Sequence, residues 1–501
     1  MDSREIALNK SKYEILNSIK RIKELCKNIG FGELAYCIYY IHTGRVFKSQ
    51  ELESTENMSL DRHNDILQYT ISCIYKYSDI SIIPEHNYSI NVNKIIQINK
   101  ISNHIHNLHE VSSCITMLDK VTLVGERNQQ VKLDFSQLTT DPVKKKSFEY
   151  TVRFQKSITK KKEELLSHLI LLDKFSIKYA QYNIISSDIF GLTIEEIKLR
   201  LNELLNICID NMKYNEKNMP ILENGNIDAQ SKDTLIEIVK SFIIDENLIF
   251  DIFGKNGMKF IRQFTFKRSD FKSHELNYHY ISRKPLLKIK NKYIITPILL
   301  LDSLLNNFHY TILENKNYSD KHKQIMSDIF VNDIAKIGQK YCFDNFATEL
   351  ELMEGKNRLG DIDLILRHKE YDYDILIESK NHTVPLGIYF GNHETIEKRR
   401  KDLKESWEKK VDKRHRYLLQ NYKNYNIKKE FKYLIVSRFP EILSHDSDYL
   451  VLSIDEFEFY LKNNCKYLEF YDLYEDYYNK EEIDSKDVKA FMKDILNCTI
   501  A

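Results

Sequence analysis

The chain lacks a strong net charge: Lys and Arg total 74 against 73 Asp and Glu, a formal charge of +1 at pH 7. Any affinity for nucleic acid therefore has to come from local basic patches and not from the field of the whole protein. No cysteine pair stands in C-x-x-C spacing. The eight cysteines, Cys26, Cys37, Cys73, Cys114, Cys208, Cys342, Cys465 and Cys498, are scattered, which excludes a zinc ribbon and points to reduced thiols in a cytoplasmic protein. No apolar run approaches the roughly 20 residues that span a bilayer; the best, around Ile294 to Leu305, is broken by Pro297 and Asp302. Membrane association is thus not expected. The amino terminus, Met1-Asp2-Ser3-Arg4-Glu5, carries no signal-peptide apolar core, and the expected location is the cytoplasm. What is present is apolar content, 42% of 501 residues, enough for real cores in roughly two to four domains.

Before residue 314 the chain reads as mostly helical. Ile15, Ile19, Ile22, Cys26 and Ile29 recur at spacings of four and three, a one-faced helix that Gly30 and Gly32 terminate. Such a helix suits a bundle or a partner, so a homo-oligomer or a partner protein is expected through this region. Helical patterning continues to about Cys114; His104, His106 and His109 lie close together in it, but no carboxylate follows in a ligand spacing, and they read as structural. From Val121 to Phe154 the pattern alternates and is turn-rich, a small β insertion or a domain boundary, whose Lys144-Lys145-Lys146 run reads as a solvated loop. Thr193 and Glu196 form a capping box before Ile197, Leu201, Leu204, Leu205 and Cys208. After a helix near 233–245, strands are expected at 259–266 and at 286–295, the latter folded about Lys290-Asn291-Lys292. Thr296 then caps a helix with Pro297 at its first position. The expected domains are a helical region over 1–120, a helical region with small β insertions over 121–313, a mixed α/β domain over 314–470, and an unassigned tail over 471–501.

The stretch that carries chemistry runs from Leu359 to His382. Leu359-Gly360-Asp361-Ile362-Asp363-Leu364-Ile365-Leu366 and Ile375-Leu376-Ile377-Glu378-Ser379-Lys380-Asn381-His382 read as two strands joined by a polar turn. Side chains alternate faces along a strand, so Asp361 and Asp363 face one way and Ile362, Leu364 and Leu366 the other; Glu378 and Lys380 likewise share a face. The continuous runs Leu364-Ile365-Leu366 and Ile375-Leu376-Ile377 suit a sheet covered on both faces, where idle charge is not tolerated. Three carboxylates and one ammonium are therefore expected on one patch. The natural compensator for an all-oxygen cluster is a hard divalent cation such as Mg²⁺. A salt-bridged edge hairpin on a solvated sheet face is the alternative.

This arrangement resembles the PD-(D/E)XK nuclease superfamily, with Asp363 as the first acid, fourteen intervening residues, and Glu378-Ser379-Lys380 as the second motif. Gly360-Asp361-Ile362-Asp363 is similar to the Gly-Glu-Ile-Asp variant of the first motif, with Ile362 where the name motif has Pro. Glu378-Ser379-Lys380-Asn381 is similar to the second motif of the nuclease-related and Holliday-junction-resolvase branches. The expected fold is mixed α+β: the mostly helical N-terminal region read above, followed by the restriction-endonuclease-like α/β/α core over 314–470 that the resemblance implies. It implies Mg²⁺, with Mn²⁺ able to substitute, held by Asp363, Glu378 and the backbone of Ser379. Asp361 and, on the preceding helix, Asp328 are further ligand candidates, with Asp333 behind them. Lys380 would orient the attacking water and help deprotonate it. Glu349 and Glu351, on a strand expected over 346–353, either add ligands or face solvent.

His393 to Tyr425 reads as one long helix with Ile396, Leu403, Trp407, Val411, Leu418 and Tyr422 on one side. Between Lys398 and Arg416 ten Lys or Arg face four acids, with Trp407 and Tyr417 interleaved. That profile suits a tracked phosphate backbone and equally a solvated amphipathic helix. The nucleic-acid-binding candidates are Lys398, Arg399, Lys409, Lys410, Lys413, Arg416 and Gln420, and the resemblance implies that Lys410 or Gln420 is directed toward the site. Strands at 431–437 and 449–454 and a helix over 455–461 complete the order helix, three strands, helix, two strands. The expected function is Mg²⁺-dependent hydrolysis of phosphodiester bonds, DNA before RNA, in anti-phage defence or DNA repair. A catalytically idle nucleic-acid-binding module and a helical scaffold for partners are the alternatives, and metal-dependent cleavage separates the first reading from both.

Overall fold

The computed structural model describes residues 3–48, 54–84, 89–118, 121–124, 130–133, 141–158, 167–224, 226–228, 231–269, 271–274, 280–382, 384, 386–389 and 391–478. Packing gathers the chain into two compact units, each assembled from separated stretches. One combines Met1–Ser11, Asn107–Thr159 and Lys323–Ala501; the other combines Lys12–His106 and Lys160–His322. Side-chain partners explain why a segment from the middle of the chain joins its C-terminal sheet. Arg153 bonds Glu456, and Phe154 meets Phe439 with ring centroids 6.3 Å apart.

The second of these units is helical around a three-stranded antiparallel sheet in the order Ile243–Asp245, Lys292–Ile295, Leu286–Ile289. The hairpin about Lys290 forms as expected, and Pro297 opens the next helix behind Thr296. The Thr193 and Glu196 capping box is present at the start of helix Ile194–Glu216. Gly30 ends the first apolar stripe, but Gly32 lies inside the next helix, Phe31–Lys48, where a Cβ would collide with the carbonyl oxygen of Ser89. The strand expected over 259–266 is instead mostly the end of Glu246–Phe264, two helical stretches that meet at a kink where Gly254 is non-helical (φ 65°, ψ 175°). In the second stretch Gly257, Phe260, Ile261 and Phe264 recur at helical spacing and are buried, a period visible only over a window longer than the aromatic run.

The first unit carries the candidate chemistry. Its elements are α1 (Pro142–Ile158), α2 (Ser319–Lys340), β1 (Phe343–Glu354), β2 (Asn357–His368), β3 (Tyr373–Lys380), α3 (His393–Leu403), α4 (Lys409–Asn421), β4 (Glu430–Ser437), β5 (Leu450–Ser453), α5 (Ile454–Lys462) and α6 (Phe470–Tyr478). A short antiparallel hairpin, Val121–Val124 with Gln130–Leu133, precedes α1. The Lys144-Lys145-Lys146 run is helical and not a loop. Pro142 takes the first position of α1, and the Asp141 carboxylate accepts from the Val143 N–H at 2.9 Å, so the turn is already committed to helix where the lysines begin.

The five strands form one mixed sheet in the order β5-β4-β3-β2-β1, with β1, β2 and β3 antiparallel and β3, β4 and β5 parallel. Helices cover both faces. Leu364, Leu366, Ile375, Ile377, Leu434 and Val436 pack with Phe330 and Ile334 of α2 and with Phe457 and Tyr460 of α5. Ile365, Leu376, Tyr433, Ile435 and Val451 pack on the other side with Ile396 and Leu403 of α3 and Val411 and Leu418 of α4. Ile362 departs from strict alternation and joins this second core. On the N-terminal side of Leu364, strand β2 pairs only with β1, and a two-stranded ribbon twists more than a wide sheet. The helix expected from His393 to Tyr425 is interrupted: a π turn over Lys404–Glu408 separates α3 from α4, and a 3₁₀ turn over Tyr422–Tyr425 ends the run. Among the described residues no helix is long and apolar enough to cross a membrane.

Candidate active site

Strand register brings the two motifs together. Leu364 pairs with Ile377, and the next step of an antiparallel ladder sets Asp363 opposite Glu378. The ladder stops there. Asp363 Oδ2 accepts from the backbone N–H of Ser379 at 2.6 Å. The N–H and C=O of one strand residue point toward the same neighbour, so the Ser379 carbonyl also faces the Asp363 side, past the end of the β2 to β3 pairing. Glu378 is buried, 3% exposed, and its Oε1 accepts from Lys380 Nζ at 2.6 Å. Asn381 anchors the end of β3 to α2 through the carbonyl of Met326 at 2.7 Å. His382 stacks on Trp407, the only tryptophan, at 5.3 Å between centroids, and Lys380 Nζ lies 6.0 Å from the same ring.

A residue not singled out in the sequence completes the cluster. Arg414, on α4, donates from Nη1 to Glu378 Oε2 and from Nε to the Leu359 carbonyl at 3.4 Å. Its signal was a charge inside an apolar stripe, since Val411, Arg414 and Leu418 are the buried residues of α4. Lys410 and Gln420, expected to approach the site, are exposed instead; Arg414, one turn on from Lys410, is the α4 residue that reaches Glu378.

The other expected site residues are dispersed. Asp361 does not join Asp363 and Glu378 in one cluster; Arg358 draws its Oδ2 to 2.6 Å. Asp328 is exposed and accepts from Gln324 at 2.9 Å, and Glu351 pairs with Arg358 at 2.8 Å. Glu349 is exposed, at a positive φ of 51° in β1. Along the basic run, Arg399 is paired with the buried Glu441 at 2.7 Å, Arg416 with Asp412 at 2.8 Å and Lys409 with Glu405, while Lys398, Lys410 and Lys413 are exposed. Of the histidine group, His106 bonds the Ser102 carbonyl at 2.8 Å and His104 lies 3.8 Å from Glu14. The chain matches no family model and no curated protein.

Burial pushes the Asp363 carboxyl up to about 6, and the charge of Glu378 adds to the rise; Lys380, the Ser379 N–H and Arg414 only partly offset it. Between the ordinary value and about 6, the folded chain holds a proton that the unfolded chain has released. Stability therefore falls as pH rises through that window, and above it the charged Asp363 costs on the order of 3 kcal/mol. Asp363→Asn is expected to raise the thermal midpoint at about pH 8 and to change it little at about pH 4. A variant less stable than wild type at the higher pH would show that Lys380 and Arg414 already compensate the charge.

Oxygen donors of this kind fit a hard divalent cation. Two carboxylates lie at one strand end, and the Ser379 carbonyl faces the Asp363 side. The set has two acids and not three. Among the described residues no group of three or more His, Cys, Asp or Glu is placed to hold a metal ion.

Proposed function

We propose that the first unit is a metal-dependent phosphodiesterase acting on nucleic acid, DNA before RNA. The observation that carries this reading is Asp363 set against buried Glu378 across the end of the β2 to β3 ladder, with Lys380 on the same face. The order of elements supports it: helix α2, three antiparallel strands, the α3 and α4 crossover, then parallel β4, as the resemblance to the PD-(D/E)XK superfamily implies. Asp363, Glu378 and the Ser379 carbonyl would hold Mg²⁺ or Mn²⁺, which supplies Lewis-acid activation of a water and of the phosphate oxygens. Lys380 would orient that water and, having released its own proton to solvent, take up the proton of the water as a neutral amine. Ser379 N–H fixes the rotamer of Asp363, and Trp407, stacked on His382, lies beside the half-buried Lys380 ammonium.

The exposed lysines of the α3 and α4 face are the groups left to meet phosphates. Reversing Lys398, Lys410 and Lys413 to Glu is expected to weaken oligonucleotide binding and to flatten its salt dependence by about 0.7–0.9 in log–log slope for each phosphate no longer neutralised. An unchanged slope would make this face ordinary solvated surface. The function itself is tested by incubating purified protein with supercoiled plasmid, linear duplex, single strand and RNA, each with Mg²⁺, Mn²⁺ or chelator. Cleavage of at least one substrate that chelator stops is expected; no cleavage of any would overturn the reading in favour of a binding module.

A further inference from the structure

Arg414 makes this more than a plain two-carboxylate site. It is 7% exposed and commits its guanidinium to Glu378 and to the carbonyl of Leu359. Burying a guanidinium is costly unless it is paired, and its partner here is one of the two acids suited to a cation. Glu378 has both oxygens taken, Oε1 by Lys380 and Oε2 by Arg414. Two cationic side chains against two carboxylates leave the cluster charge-balanced as it stands. A divalent cation added to all four would leave an excess of two positive charges in a buried place, so a resident cation has to give way. The chain makes specific room for one of them. Gly360 stands at φ +113°, and a Cβ there would overlap Nη2 of Arg414 and lie 2.9 Å from its Nε. Only glycine meets both demands. Gly360, in the motif next to Asp361, thus serves a side chain on a distant helix.

We propose that Arg414 is a resident counter-ion for Glu378: it keeps the two-carboxylate site balanced without metal and withdraws from Glu378 when a divalent cation binds, thereby setting cation affinity. The inference rests on the metal-dependent function proposed above and deepens it. Arg414 acts through Glu378 and is a positioning residue.

Calorimetric titration with Mn²⁺ alone, at about pH 8 and with no nucleic acid, reads the exchange directly. Arg414→Gln is expected to bind Mn²⁺ about tenfold or more tightly than wild type, and to gain more in thermal midpoint at saturating Mn²⁺. Wild-type protein that binds no Mn²⁺ overturns the proposed function and the exchange with it. Wild type that binds while Arg414→Gln binds equally or more weakly overturns the exchange alone. If Glu378 without its partner prevents Arg414→Gln from folding, a crystal structure of wild type grown with Mn²⁺ carries the test. Arg414 released from Glu378 supports the exchange, and Arg414 still bonded to it beside the bound ion overturns it.

Discussion

Lys380→Arg and Lys380→Ala are both expected to fold and to lose activity by about 10²–10⁴-fold, the contribution of a positioned acid–base group. The ammonium sits 2.6 Å from Glu378 Oε1 and against Trp407. Two roles fit that position, and one substitution separates them. A purely structural ion pair needs only the charge, so Lys380→Arg would preserve activity and Lys380→Ala would destabilise the unit. A group that orients water and moves its proton needs an amine, because a guanidinium stays protonated in proteins and carries its donors in a rigid plane. Removing an ammonium beside two carboxylates also strengthens their hold on a cation, so Lys380→Ala should keep its affinity for Mn²⁺. Wild-type rates in Lys380→Arg would leave the ion-pair role standing.

The largest stability effect is expected at Arg153. Its guanidinium is fully buried, reaches Glu456 through two bonds at 2.6 and 2.5 Å, donates to the Glu441 carbonyl at 3.2 Å, and lies 4.5 Å from the Phe470 ring. Glu456 also takes the Ser453 N–H at 2.7 Å and the Tyr478 hydroxyl at 2.8 Å, which ties α1, α5 and α6 to one carboxylate. Arg153→Met leaves Glu456 buried without its cation and should cost about 3–5 kcal/mol, read as a fall in urea midpoint. The double variant with Glu456→Gln should recover much of that loss, since an apolar and a neutral group no longer leave a charge stranded. Burial is the largest influence and would raise the Glu456 carboxyl, but Arg153, the Ser453 N–H and the Tyr478 hydroxyl together outweigh it and the net shift is downward. The contribution is therefore complete above the ordinary carboxylate range and is lost as pH falls through the lowered folded value. Equal urea midpoints for wild type and Arg153→Met would show that the pair carries no net stability.

The strands of the site were legible because their signal is local. Period-two alternation around Asp363 and Glu378 placed both acids on one patch; the register that sets them opposite each other comes from the pairing of Leu364 with Ile377. The helical stripes through Ile15 to Ile29 and Ile197 to Cys208 were legible for the same reason. What failed depended on partners far along the chain or on a competing local one. Nothing near Arg414 announces that Glu378 will receive it, beyond its place between Val411 and Leu418. Asp361 was expected beside Asp363 by alternation alone, yet the twisting β1 to β2 ribbon supplies Arg358 three residues away. The run 259–266 carries strand-favouring aromatics, but Gly257 extends its period into the helix that follows the kink at Gly254, an instance of a longer pattern overriding a short one.

The central claim is that Asp363 and Glu378 form a metal-dependent site for phosphodiester cleavage. Its most direct measurement is strand cleavage by purified wild type, Asp363→Ala and Glu378→Gln in parallel, with Mg²⁺ or Mn²⁺ present and then chelated. Cleavage by wild type that stops on chelation, and that neither variant supports although both remain folded, is the expected result. Undiminished cleavage by both variants, or wild-type cleavage indifferent to chelator, would contradict it.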